Sequence, residues 1–146
     1  MKKELIMEYN KKFDKDIDTE KLDSEFILAS LKALLKELIR GVPGVRAAAI
    51  VSIEGLPVIS ALPENIKEDI VAETTSMLLS LAERAINAMN VGDLEQLNIQ
   101  GSISNLTVLT AGEKNVLTVL TEKSANLGYV YMACEKICEK IAQVFK

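Results

Sequence analysis

The sequence predicts a three-layer α/β sandwich, a five-stranded antiparallel sheet with helices on both faces, in the order α-β-β-α-β-β-β-α. Three observations lead there. Apolar residues switch between helical spacing and short β-branched runs in that order along the chain. The strands follow one another through short turns, which forces antiparallel pairing, because a parallel pair needs a crossover of about a dozen residues or more. Strands such as Val116-Leu117-Thr118-Val119-Leu120 are apolar on both sides, so neither face of the sheet is left to water.

The 146 residues suit one domain, with enough chain to bury a core without disulfide or metal. The hydrophobic share is 49% but the aromatic share only 4%, so that core is aliphatic. A net charge of −4 argues against nucleic acid, which needs clustered Lys and Arg, and against anionic membranes. Glu4 and Glu8 interrupt any signal-like apolar run, and no stretch is long enough to span a bilayer. The expectation is a cytoplasmic protein without membrane insertion.

Residues 1–23 carry six Lys and seven Asp or Glu, and read as a charged, mobile or partly helical extension. The domain proper spans 24–146. Asp23 or Ser24 is placed to cap a first helix whose apolar positions run Ile27, Leu28, Leu31, Leu34, Leu35, Leu38. Gly41 with Pro43 beyond it stops that helix. Strands follow at 47–53 and 56–61, joined through Glu54-Gly55; Pro57 puts the second at a sheet edge or marks its first residue. A long helix over 66–89 leads to strands near 94–100, 104–110 and 115–121, and a last helix runs over about 126–145.

The middle helix has more apolar surface than one packed face needs. Its larger apolar side chains spread over roughly 200°, from Met77 through Ile70, Leu81, Leu78, Val71 and Ile86 to Leu79, where about 100° suffices for one face. Opposite lies a polar strip of Asp69, Glu73, Ser76, Ser80, Glu83 and Asn87, with Arg84 at its margin. Either another helix of the same chain covers the excess flank, or a second copy does.

Catalytic signatures are missing. There is no His, no phosphate-binding loop and no Gly-x-Ser-x-Gly elbow. Neighbouring acids such as Asp69 and Glu73 read as ordinary solvated surface. Cys134 and Cys138 share a helix face and could serve redox chemistry, an intermolecular disulfide or half of a zinc site, but they fall on the apolar stripe Leu127, Val130, Tyr131, Cys134, Ile137, Cys138, Ile141, Phe145. There they read as small core residues. No catalytic residue, metal or cofactor is expected.

Several segments together resemble the Roadblock family, whose members include dynein light chains and prokaryotic regulators of small GTPases. They are Val42-Pro43-Gly44-Val45-Arg46-Ala47-Ala48, Glu54-Gly55-Leu56-Pro57-Val58-Ile59-Ser60, Leu81-Ala82-Glu83-Arg84-Ala85 and Ala125-Asn126-Leu127-Gly128. The resemblance covers residues 25–145 and implies one helix on one face of the sheet and two on the other. It also implies a homodimer, or a heterodimer with a paralogue, in which middle helices lie side by side and third strands pair.

On this sequence the implied dimer contacts are Ile70, Met77, Leu79, Leu81 and Ile86 on the middle helix, with Glu95, Leu97, Asn98 and Ile99 around the third strand. Resemblance to the prokaryotic type further implies binding of a Ras-like small GTPase through the platform the two middle helices form. The exposed candidates here are Asp69, Glu73, Ser76, Ser80, Glu83, Arg84 and Asn87. Two other readings remain open: an assembly module of the dynein light chain kind that touches no GTPase, and a ligand-binding sensor domain.

Overall fold

A computed structural model describes residues 19–145. Helix α1 spans Thr19–Gly41, followed by β1 (Val45–Ser52), β2 (Pro57–Ala61), α2 (Glu68–Met89), β3 (Leu97–Gln100), β4 (Ser104–Thr110), β5 (Asn115–Glu122) and α3 (Leu127–Val144). The strands form one sheet in the order β2-β1-β5-β4-β3, every neighbouring pair antiparallel. Helices α1 and α3 pack against each other on one face, and α2 lies on the other over β1 and β2. The predicted three-layer architecture and element order are those observed.

The two-sided apolar strand β5 sits at the centre of the sheet, which explains its pattern. Leu117 and Val119 join the core under α1 and α3, with Leu31, Leu35, Leu38, Ile50, Val130 and Ile141. Val116 turns the other way and meets Ala49, Val51, Val108, Ala72 and Leu79 under α2. Small residues in β1 let helices approach from both sides: Ala48 serves the first core and Ala49 the second. Truncating a fully buried Leu such as Leu35 to Ala would cost about 2–5 kcal/mol.

Pro57 opens β2, and β2 is an edge strand, so both roles read for that proline hold. Gly44 has φ +91°, and a Cβ there would lie 2.5 Å from the Ala125 Cβ. Only glycine lets the entry to β1 pass that close to the start of α3. Asn126 caps α3 by accepting from the Tyr129 amide at 3.1 Å. Asn90 ends α2 in the left-handed conformation, with the Val91 amide bonded back to the Ile86 carbonyl.

The start of the first helix differs from expectation. It begins at Thr19, so Asp23 and Ser24 lie inside it and neither is its cap. The apolar stripe begins only near Phe26 and Ile27, while the preceding helical turn carries charge and leaves no periodic trace. Of the charged extension read over 1–23, residues 1–18 lie outside the described residues. Strand β3 is also shorter than 94–100: it starts at Leu97, because Gly92 takes φ +104° and the chain to Gln96 stays irregular.

Candidate functional site: the outer side of the middle helix

Helix α2 meets the sheet through Ala72, Thr75 and Leu79, which are buried. Leu79 therefore belongs to the core and not to an open flank, and Ile86, on the same line one turn pair further, is half-buried. This corrects the sequence reading for Leu79. An arc of 200° contains both the sheet-facing line and the outward one, and the arc alone does not say which end is which.

At 100° per residue the opposite side of the helix carries Ile70, Thr74, Met77, Leu81, Arg84 and Ala88. All six are exposed, and Ile70, Met77 and Leu81 reach 57%, 66% and 63%. Their spacing is four, three, four, three, four, the repeat of a helix seam that expects another helix. Neither α1 nor α3 covers it, since both lie on the far face of the sheet.

The polar strip is split by the fold. Asp69, Glu73, Ser80, Glu83, Arg84 and Asn87 are exposed. Ser76 is half-buried, and its hydroxyl donates to the Ile53 carbonyl at 2.7 Å, tying α2 to the β1–β2 turn. That contact orients the helix: its polar side faces the β1–β2 turn. Its other flank, with Val71, adjoins Leu94, Leu97 and Leu106 toward β3.

The two edges of the sheet are treated differently. On β2, Pro57 removes a donor and the Lys32 ammonium donates to the Ser60 carbonyl, devices that blunt an edge. On β3, Asn98, Ile99 and Gln100 are exposed while Leu97 is half-buried. The Gly101 amide bonds to the Ser104 carbonyl at 3.0 Å, which sets the phase of the β3–β4 ladder. Alternation along an antiparallel pair then leaves the backbone N–H and C=O of Asn98 and Gln100 on the free edge. Glu95 lies just before β3, where it shares a hollow with Leu94, Tyr131, Glu135 and Cys138. Burial, then the Glu135 carboxylate that accepts its hydrogen bond at 3.1 Å, pushes the Tyr131 phenol up.

Cys134 and Cys138 are buried within the core under α1 and α3, as read from the sequence. Burial pushes both thiols up to about 12. They are neutral thiols near pH 7, which suits packing and not nucleophilic or metal chemistry. Among the described residues no group of three or more Cys, Asp or Glu is placed to hold a metal ion, and no helix is long and apolar enough to cross a membrane.

This geometry, a five-stranded antiparallel sheet with one long helix alone on its face among the described residues, defines a small αβ module of the Roadblock kind. The chain matches the Roadblock/LC7 domain over residues 31–121 and belongs to that family. It is 32% identical over 102 residues to the uncharacterized protein MJ0714 of Methanocaldococcus jannaschii, covering 70% of this chain and 86% of that one. In fold it is similar to the gliding protein MglB from Thermus thermophilus, with a TM-score of 0.73 at 20% identity over 81% of this chain and 90% of that one. A structure of MglB with a tetrameric arrangement superposes with a TM-score of 0.74, at 20% identity, over 81% and 89% of the two chains.

Proposed function

We propose that this protein is a non-catalytic, self-associating platform that regulates a Ras-like small GTPase by binding its switch regions. The observation that carries the reading is the exposed stripe Ile70, Thr74, Met77, Leu81, Arg84, Ala88 on a helix that no other element among the described residues covers. Placed antiparallel to a copy of itself about a two-fold axis at the level of Leu79, it sets Ile70 against Ala88, Thr74 against Arg84 and Met77 against Leu81. Large residues meet small ones at the ends of the seam, and two flexible chains meet at its middle.

Burying Ile70, Met77 and Leu81 of both copies is worth at most about 1.5–3 kcal/mol for each side chain, less for their 57–66% starting exposure, against roughly 4–15 kcal/mol lost when two molecules associate. The seam alone is marginal. Strand β3, whose open edge presents Asn98 and Gln100, offers a separate contact on another side of the molecule, one that continues the sheet into a further copy.

With the seam taken, Asp69, Glu73, Ser80, Glu83 and Asn87 remain open beside it, and these are the partner-binding residues of the proposal. Membership of the Roadblock/LC7 family supports a binding rather than a catalytic role. The fold shared with the gliding protein MglB is consistent with the prokaryotic GTPase-regulating type. Binding of Ras-like GTPases from the source organism, each loaded with GDP or with a non-hydrolysable GTP analogue, tests this. One GTPase should bind, with different affinity in its two nucleotide states; equal binding of both states, or none, contradicts regulation through the switch regions.

A further inference from the structure

The turn between β1 and β2 holds two apolar side chains out into solvent on a frame tied from several sides. Ile53 is 43% exposed and Leu56 64%. Within the turn, the Gly55 amide bonds to the Ser52 carbonyl and the Leu56 amide to Ser52 Oγ, both at 3.0 Å. The Ser52 amide returns to the Leu56 carbonyl at 2.8 Å. Outside it, the Ile53 amide reaches the Lys114 carbonyl at 3.0 Å, and Ser76 of α2 holds the Ile53 carbonyl at 2.7 Å. Gly55, at φ +93°, lets the turn lie against α2: a Cβ there would approach the Ser76 Cβ to 3.3 Å.

Among the described residues, these two large apolar side chains, held out into water on a tied backbone, serve no packing purpose. The backbone that carries them loses little further freedom on binding, which is how a preorganised contact gains affinity. The surroundings are acidic. Glu54 lies in the turn itself, and Glu73, Ser80 and Glu83 flank Ser76 on the side of α2 that faces it, all exposed. Glu113 and Lys114 sit on the adjoining β4–β5 turn, and against the acids of these elements stand two basic groups, Lys114 there and Arg84 on α2.

We infer that Ile53 and Leu56 anchor the partner beside the acidic side of α2, and that the partner presents an apolar hollow rimmed by Lys or Arg. The inference rests on the GTPase reading above and names the part of the surface that carries it. An apolar centre within a charged rim is the usual anatomy of a specific interface, and the acidic frame sets orientation and association rate against a basic partner.

Leu56→Ser and Met132→Ser test the assignment. Met132 is 59% exposed but lies on α3, across the sheet from the turn, so neither change touches the core. Full-length wild type and both variants are titrated with the Ras-like GTPases of the source organism, loaded with GDP or with a non-hydrolysable GTP analogue. Leu56→Ser should weaken binding about tenfold or more, Met132→Ser should leave it unchanged, and light scattering should give all three the same mass. Wild-type affinity in Leu56→Ser overturns the anchor while the GTPase reading stands. Failure of wild type to bind any GTPase in either state overturns that reading and this inference with it.

Discussion

Thr107 Oγ1 donates a 2.9 Å hydrogen bond to Asn98 Oδ1, across from β4 to the outermost strand β3. The two are register partners in a non-hydrogen-bonded position of the ladder, where side chains come closest. Asn98 thus holds to β4 by its side chain while its backbone amide faces outward.

That geometry separates two proline substitutions. Asn98→Pro removes a donor the monomer does not use, so it should weaken self-association while costing the fold only the Thr107 contact and some backbone strain. Ile99→Pro removes a donor that pairs with β4 and should lower monomer stability. Sedimentation equilibrium alongside thermal melts distinguishes them. If Asn98→Pro leaves the association constant unchanged, β3 lies outside the interface.

The buried cysteines make a prediction about stability and one about pH. Cys134→Ala combined with Cys138→Ala should lower unfolding free energy by about 1–3 kcal/mol through lost packing, and leave oligomeric state intact. A thiol whose folded value of about 12 lies above its ordinary value of 9.0 holds its proton more tightly in the native state. Its contribution to stability is therefore full below about pH 9 and declines as pH rises toward 12. Denaturant titrations across that range should show the decline in wild type and a smaller one in the double variant. Rapid alkylation of the native protein at about pH 8, below the ordinary thiol range, would contradict the burial of both thiols.

Any stimulation of GTP hydrolysis should proceed without an arginine donated by this chain. Of the three arginines, Arg40 ends α1 and Arg46 lies near the start of β1. Arg84 is exposed in the single chain toward one end of the α2 seam, on a rigid helix that cannot carry it into a neighbouring nucleotide cleft. Arg84→Ala should weaken binding modestly through the seam it shares with Thr74 of the copy, and saturating amounts should still support the normal hydrolysis rate. A loss of about a thousandfold or more at unchanged binding would identify an arginine finger instead.

Much of the fold is legible in the sequence because each element announces its own period. Val116 to Leu120, apolar on both sides, marks the central strand, and Pro57 marks an edge. What the sequence hides is orientation. Leu79 and Met77 both belong to one apolar arc, yet one is buried under α2 and the other is 66% exposed; only the docked helix tells them apart. Ser76 fits a polar strip by spacing but is claimed by the Ile53 carbonyl, a partner 23 residues away along the chain. The anchors Ile53 and Leu56 escape notice for a related reason, since a strand end and a turn residue look apolar for the sake of the core until the turn is seen to face outward.

The account rests on a second copy covering α2 and β3, and solution mass tests it most directly. Light scattering of the wild-type chain at micromolar concentration should give about twice 16.0 kDa or a higher multiple of two, and Met77→Glu with Leu81→Glu should reduce it to the monomer. These side chains are exposed in the single chain, so the variant should melt as a folded protein. A wild-type mass of 16.0 kDa that persists at high concentration would contradict the platform outright.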